Sequence, residues 1–143
     1  MKFNRLVLSG AILALTVGLT IGASAQTTGL KATPSPLNLA ARGGDLTSGY
    51  ITITNLGPGF ASNLAASIGP SNGGHNGALN IVGDTCTGAT VAQGGTCTLH
   101  MEFDAKCFVK TGPAAVWYIN VSSSQFPVFT TQVNTTVTSY TCD

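Results

Sequence analysis

Apolar and polar positions alternate along several short stretches of this chain. In the clearest of them, residues 97–104, every second residue is apolar: Cys97, Leu99, Met101 and Phe103. A period of two is typical of a half-buried β-strand, whose side chains point alternately toward the core and toward water. Residues 49–55 show the same period, with Ile51 and Ile53 on one face. The pattern predicts a protein built from strands.

Turn residues divide the rest of the chain into further short segments. The predicted strands are residues 31–40, 49–55, 63–68, 78–82, 97–104, 114–122 and 128–140, and residues 69–77 are predicted to be a loop. Pro34 and Pro36 confine the first strand to a sheet edge, because proline has no N–H to donate to a neighbour. No amphipathic helix is evident after the N-terminal segment. About seven short strands predict an all-β fold, an antiparallel β-sandwich.

The strand predicted at residues 114–122 contains the chain's one tryptophan. Trp117, Ile119 and Val121 share the face that is expected to point inward. We expect Trp117 to be the central aromatic side chain of the core. Tyr118 faces the other way, and it is therefore the better candidate for contact with a ligand.

The first 25 residues resemble a bacterial secretory signal peptide. Lys2 and Arg5 precede an apolar run at residues 6–21, and Ala23-Ser24-Ala25 follows as a small-x-small cleavage pattern. An uncleaved anchor is the alternative, but the run is shorter than the ~20 residues of a spanning helix. We therefore predict a signal peptide at residues 1–25 and a single domain at residues 26–143. The mature protein is expected to be secreted, periplasmic or on the cell surface, without stable membrane insertion.

All four cysteines, Cys86, Cys97, Cys107 and Cys142, lie after the predicted cleavage site. An even number of cysteines in an oxidising compartment favours disulfides, and the close Cys-x-x-Cys spacing of zinc sites is absent. Cys86 and Cys97 flank a ten-residue turn that would bring two ends of a hairpin within disulfide reach. The predicted strand directions place Cys107 and Cys142 at one end of the sandwich. We therefore predict the pairs Cys86–Cys97 and Cys107–Cys142.

The charge distribution and the motifs exclude several classes of function. The formal net charge is +1, and no basic patch is present to hold a phosphate backbone, so nucleic acid is not an expected partner. The Gly-x-Ser-x-Gly motif of a nucleophile elbow is absent. His100, Glu102 and Asp104 share the polar face of one predicted strand; a solvated surface is expected there, with a weak metal site as the alternative. We expect no enzymatic activity, no metal and no cofactor.

Three motifs give the chain a resemblance to a known family. They are Tyr50-Ile-Thr-Ile-Thr-Asn-Leu-Gly57, Asp84-Thr-Cys-Thr-Gly88 and Gly94-Gly-Thr-Cys-Thr-Leu-His-Met-Glu-Phe103. Together they resemble the bacterial immunoglobulin-like domains of the choice-of-anchor type, relatives of the Hydin-like (abnormal-spindle-like) modules. The usual proline after the last phenylalanine is replaced by Ala105, and Cys107 and Cys142 are not part of the family pattern. The resemblance implies an immunoglobulin-like sandwich that acts as a non-catalytic binding or structural module, and it implies no particular ligand.

Two functional hypotheses follow. In the first, the protein is a monomeric binding or structural module of the cell envelope or exterior, with a protein or an envelope glycan as its partner. In the second, it is a subunit of a surface fibre or pilus-like assembly built by β-strand addition. The second hypothesis rests on residues 125–140, which contain no charge and would leave an edge strand unprotected. The proline-containing segment at residues 27–39 is the alternative donor strand.

Overall fold

The computed structural model describes residues 29–73, 76–107 and 115–139. These residues form strands β1 (Leu30–Thr33), β2 (Leu37–Ala41), β3 (Leu46–Asn55), β4 (Ala65–Asn72), β5 (Gly77–Asp84), β6 (Thr96–Ala105), β7 (Ala115–Ser122) and β8 (Phe129–Val137). Across these ranges, no helix is long and apolar enough to cross a membrane. The predicted signal peptide, residues 1–25, lies outside the described residues.

The strands form two four-stranded sheets that pack face to face. Sheet A has the order β1-β3-β6-β5, and sheet B has the order β2-β8-β7-β4. The predicted all-β sandwich is confirmed, with eight strands in place of about seven. One pair departs from the predicted antiparallel arrangement, because β2 runs parallel to β8, with Leu37 opposite Val133 and Ala41 opposite Val137. Sheet B is therefore mixed.

The prediction of one strand at residues 31–40 was wrong. The segment forms two strands, β1 at the edge of sheet A and β2 at the edge of sheet B. Pro34 and Pro36 lie between them, and a sheet ladder cannot continue through residues that have no N–H. The chain therefore crosses from one sheet to the other at the prolines. The predicted edge position is confirmed for both strands.

The fourth strand also differs from the prediction. It runs over Ala65–Asn72, so residues 69–72 belong to a strand and not to a loop. Its pairing with β7 is irregular between Ile68 and Ser71, where a bulge accommodates Gly69 and Pro70. A proline is tolerated there because β4 is an edge strand.

The core lies between the inward faces of the two sheets. Its largest fully buried side chains include Ile51, Leu99, Met101 and Phe103 from sheet A. They are the alternate residues of β3 and β6, as the period of two predicts. Phe103 is the only aromatic side chain among the fully buried ones in the described residues, and it occupies the position that was predicted for the tryptophan.

Trp117 is not the central core aromatic. It faces inward as predicted, but it is only partly buried and packs against the margin of the core. Its indole Nε1–H donates to the hydroxyl of Thr135 at 2.9 Å, and that hydroxyl donates to Oδ1 of the buried Asn76 at 3.2 Å. A partly buried indole needs an acceptor for its N–H, and this polar group supplies one at the margin.

The predicted hairpin disulfide is confirmed. Cys86 and Cys97 are joined with their Cα atoms 5.0 Å apart, at the end where β5 leads into β6. Cys107 is also disulfide-bonded. Its predicted partner, Cys142, lies outside the described residues, so that pairing stays a prediction. A β-carbon placed on Gly43 would lie 3.4 Å from the Cα of Cys107 and 3.2 Å from the carbonyl oxygen of Ser139, so the end of β8 does approach Cys107.

Asp84 organises the turn that enters the disulfide loop. Its Oδ1 accepts hydrogen bonds from the backbone N–H groups of Cys86 at 2.6 Å and Thr87 at 2.9 Å, and its Oδ2 accepts from the Thr87 hydroxyl. Partial burial raises the pKa of Asp84, but these hydrogen bonds outweigh burial and hold the pKa below its ordinary value. The motif Asp-Thr-Cys-Thr is therefore a carboxylate-capped turn.

The lowered pKa of Asp84 predicts a loss of stability in acid. A carboxylate whose pKa is lower in the folded state stabilises the fold fully above its unfolded pKa, and this stabilisation disappears as the pH falls through the folded pKa. Asp84→Asn should therefore lower the melting temperature at pH 7, and the difference from wild type should shrink below about pH 4. Thermal melts across pH test this. A difference that stays constant down to pH 2 would contradict it.

Candidate binding surfaces

The outer face of sheet B is uncharged. None of its four strands contains an aspartate, glutamate, lysine, arginine or histidine. Most of the side chains that point away from the core are amides and hydroxyls, together with one tyrosine; Ala40, Ala65 and Val116 are apolar members of the same face. The central members of this surface, which we call the amide face, are Asn38, Asn72, Tyr118, Asn120, Thr130, Gln132 and Asn134.

Hydrogen bonds between neighbouring strands hold the amide face in place. Asn134 Nδ2 donates to Asn38 Oδ1 at 2.9 Å, across the parallel β2–β8 pair. Asn72 Nδ2 donates to the Tyr118 hydroxyl at 3.1 Å, from the edge strand β4 to β7. The hydroxyl of Tyr118 accepts this bond and keeps its own hydrogen to donate elsewhere. The side chains are thus ordered before any partner binds.

A further bond orders the middle of the same face. The hydroxyl of Thr130 donates to Asn120 Oδ1 at 2.9 Å, between β8 and β7. The two residues face each other in the antiparallel register. Tyr118 and Asn120 are neighbours on the outer side of β7, so the tyrosine ring lies between two amide-bearing positions, Asn72 and Asn120.

The outer face of sheet A is chemically different. Tyr50, 60% exposed, stacks on His100 with ring centroids 4.4 Å apart and an interplanar angle of 11°. His100, Glu102 and Asp104 alternate outward along β6, as predicted. Within residues 29–73, 76–107 and 115–139, no group of three histidine, cysteine, aspartate or glutamate side chains is arranged to hold a metal ion. The histidine is packed against a tyrosine and does not face a carboxylate cage.

The premise of the fibre hypothesis is corrected by the sheet order. The uncharged strand at the C-terminal side, β8, lies between β2 and β7, so it is not an edge strand. The N-terminal segment is already paired within the same chain, as β1 and β2. The free edges of sheet B are instead β2, which follows Pro36, and β4, which contains a bulge and Pro70. Prolines and bulges are devices that discourage edge pairing.

The sequence pointed to Tyr118 but not to the amides around it. The available signal was the absence of charge from residues 114–122 and 128–140, combined with amides at their outward positions. The sequence alone could not show that these residues form one surface. Asn38 and Asn72 lie beside β8 and β7 only because distant parts of the chain pair with each other.

Comparisons with known proteins show the fold alone. No protein-family model matches the chain, and no curated protein matches it. Many solved structures are similar to it, among them the following three. The secreted serine protease VesC from Vibrio cholerae has a TM-score of 0.55 and 17% identity, over 78% of this chain and 24% of the protease. A family 123 glycoside hydrolase from Clostridium perfringens has a TM-score of 0.55 and 12% identity, over 77% of this chain and 27% of the enzyme.

The third similar structure matches over its whole length. The ASH / PapD-like domain of human CEP192 has a TM-score of 0.53 and 10% identity, over 95% of this chain and 99% of that domain. The chain thus spans about a quarter of each bacterial enzyme, but nearly all of an isolated PapD-like domain. These matches and the two-sheet topology show that the described residues have an immunoglobulin-like β-sandwich fold.

Proposed function

We propose that this protein is a secreted, non-catalytic module that binds an uncharged glycan of the bacterial envelope through the amide face. The observation that carries the proposal is the chemistry of that face: ordered amides and hydroxyls around Tyr118, with no charged side chain in any of the four strands. The finer family assignment, to the choice-of-anchor and Hydin-like immunoglobulin domains, belongs to the same proposal. The capped cysteine hairpin from Asp84 to Cys97 supports it.

The chemistry of the amide face suits a polyhydroxyl ligand. An amide side chain both donates and accepts hydrogen bonds, as each sugar hydroxyl does, so the two can pair without a change of protonation. A tyrosine ring supplies an apolar surface for the C–H face of a sugar and a hydroxyl at its tip. Since the face has no charge, it gives an ionic polymer no advantage over a neutral one.

Export and the absence of catalysis rest on separate observations. The Cys86–Cys97 disulfide is typical of a protein that folds in an oxidising compartment, and the N-terminal residues resemble a secretory signal. The candidate residues for chemistry, His100, Glu102 and Asp104, lie on the outward face of β6, where His100 stacks on Tyr50. We propose that the protein is a monomer. In support, β2 follows Pro36, β4 and β5 have irregular pairing, and β1 is only four residues long, which are features that discourage strand addition at the sheet edges.

Affinity electrophoresis of the mature protein, residues 26–143, tests the proposed ligand class. Gels that contain a neutral β-glucan, a mannan, a galactan or the anionic polymer alginate are compared with gels that contain none. We expect at least one neutral polysaccharide to retard the protein. Tyr118→Ala should weaken that retardation at least about fivefold, because an aromatic contact contributes about 1 kcal/mol.

Tyr50→Ala is the matched control, since Tyr50 is an exposed tyrosine on the opposite sheet. It should leave retardation unchanged. Retardation by none of the neutral polymers would contradict the proposal. So would equal effects of the two tyrosine variants, or retardation by alginate alone.

A further inference from the structure

The dipeptide Asn-Gly occurs twice in this chain, as Asn72-Gly73 and as Asn76-Gly77. In this dipeptide the backbone nitrogen of the second residue can readily reach the amide carbon of the first side chain, because glycine has no β-carbon to obstruct the approach. The two copies lie on either side of the connection from β4 to β5. The structure gives them very different surroundings.

The second asparagine, Asn76, is held in place on both sides of its amide. It is only 5% exposed, its Nδ2 donates to Thr135 O at 3.0 Å, and its Oδ1 accepts from the Thr135 hydroxyl at 3.2 Å. Gly77 is buried as well and pairs with Ala105 of β6. Attack on the Asn76 side chain would require both hydrogen bonds to break and the start of β5 to leave its partner. The fold therefore protects Asn76.

The first asparagine, Asn72, is accessible to solvent. Asn72 and Gly73 are both exposed, and Asn72 is the last residue of the edge strand β4. The side chain makes one solvent-exposed hydrogen bond, from Nδ2 to the Tyr118 hydroxyl at 3.1 Å. In the part of the chain that the structure describes, Gly73 N–H makes no hydrogen bond. The attacking nitrogen and the amide that it would attack are thus both open to water.

We propose that Asn72 is a site of spontaneous deamidation, with water as its only co-reactant. The Gly73 nitrogen gives its proton to a base in the solvent and bonds to Cγ of Asn72. The Cγ–Nδ2 bond breaks, and Nδ2 takes up a proton and leaves as ammonia, so that a succinimide ring joins the two residues. Water then opens the ring at either carbonyl, which gives aspartate or isoaspartate. No electron is gained or lost in any step.

The product changes the chemistry of the amide face at one edge. A carboxylate at position 72 is the first charge in the four strands of sheet B. A carboxylate accepts hydrogen bonds but donates none, so the Tyr118 hydroxyl would turn to donate to it. The reaction itself does not depend on the proposed glycan ligand.

The modified protein is expected to stay folded. Isoaspartate adds one carbon to the backbone, and a longer backbone inside a ladder would shift every pair that follows. At Asn72 this carbon comes at the end of the β4–β7 ladder, where Asn72 opposite Val116 is the last pair. The charge of the amide face can therefore change while the sandwich persists.

Peptide mapping of aged protein tests the proposal. The mature protein, residues 26–143, is incubated at mildly alkaline pH, either in buffer or in concentrated guanidinium chloride. After reduction, trypsin should release residues 43–106 as one peptide, since no lysine or arginine lies between Arg42 and Lys106. Fragmentation of this peptide measures the mass change from amide to carboxyl at each asparagine, and enzymatic methylation measures isoaspartate.

The two Asn-Gly copies serve as each other's control. In buffer, Asn72 should react at least about tenfold faster than Asn76, the factor expected when two hydrogen bonds must break first. In guanidinium chloride the two should react at similar rates. Asn80 is the control for exposure alone, because it is exposed and followed by Ile81. It should keep its amide in both solutions.

The variant Asn72→Asp supplies the aspartate product as a standard. It should co-elute with the aspartate form of the aged protein on anion exchange and have the circular dichroism spectrum of the wild type. Equal rates at Asn72 and Asn76 in buffer, or faster reaction at Asn76, would overturn the proposal. So would an intact Asn72 amide in buffer after a period in which guanidinium chloride converts both sites. An unfolded Asn72→Asp would overturn the inference that the fold persists.

Discussion

Asn55→Ala is expected to lower the free energy of unfolding by about 2–3 kcal/mol. Asn55 is fully buried, and its Nδ2 donates to Gly59 O at 3.0 Å and to Val91 O at 2.9 Å, while its Oδ1 accepts from Gly57 N–H at 3.0 Å. Alanine would leave the buried Gly57 N–H and the Gly59 carbonyl without their side-chain partner, whereas Val91 O would keep the bond from Ala61 N–H at 2.8 Å. Each buried polar group that loses its partner costs about 1–3 kcal/mol. Urea denaturation with intact disulfides measures the change.

Two further variants separate the hydrogen bonds of Asn55 from its volume. Asn55→Asp keeps the size and the acceptor but replaces the donor with an oxygen that faces two carbonyls, so it should be at least as harmful as alanine. Asn80→Ala, at an exposed position of β5, should change stability by less than about 0.5 kcal/mol. A loss below about 1 kcal/mol for Asn55→Ala would show that solvent or the loops themselves replace these bonds.

Gly77→Ala is expected to destabilise the fold by about 3 kcal/mol. Gly77 begins β5 opposite Ala105, and a β-carbon there would lie 2.2 Å from Asp104 O and 2.4 Å from Cε2 of Phe103. The first atom belongs to the backbone of a central strand, and the second belongs to a fully buried ring. Neither can move without disturbing the β5–β6 pairing or the core, so the methyl group must displace the strand.

Gly59→Ala is the control for the conformational freedom of glycine. Gly59 has a φ of +79°, which alanine tolerates poorly, but no atom lies within 4 Å of a β-carbon placed there. Its substitution should therefore cost about 1 kcal/mol from the backbone alone. If both glycine variants lost the same amount of stability, the structure near Gly77 would have shifted enough to remove the contacts with Asp104 and Phe103. Chemical denaturation of both variants decides between these outcomes.

The structure explains what the residues do in the motifs that resemble those of the choice-of-anchor immunoglobulin-like domains. In Thr54-Asn-Leu-Gly57, the asparagine binds two loops together, and the glycine leaves room for the ring of Phe126. In the hairpin, Asp84 caps the turn that brings Cys86 to Cys97. In the structure these residues maintain the fold. This agrees with a motif that identifies a scaffold and leaves its partner unspecified.

The sequence predicted much less of the proposed site than of the fold. Tyr118 was predicted to face outward because a strand has a period of two, and its neighbours on β7 follow from the same rule. The amide of Asn72 reaches it only because β4 pairs with β7 across a bulge. The proposed glycan-binding surface, the amide face, therefore depends on how several strands pair with one another.

The sequence by itself determined which side chains of β3 and β6 are buried, where the hairpin disulfide forms and where prolines end strands. These features are local, because alternation and turn chemistry depend on residues close together in the chain. Only the tertiary structure decided that the N-terminal segment divides between two sheets, that β8 is an interior strand and that Phe103, not Trp117, fills the centre of the core. The reason is that β2 pairs with β8 between residues 96 positions apart, and no local pattern encodes a partner at that distance.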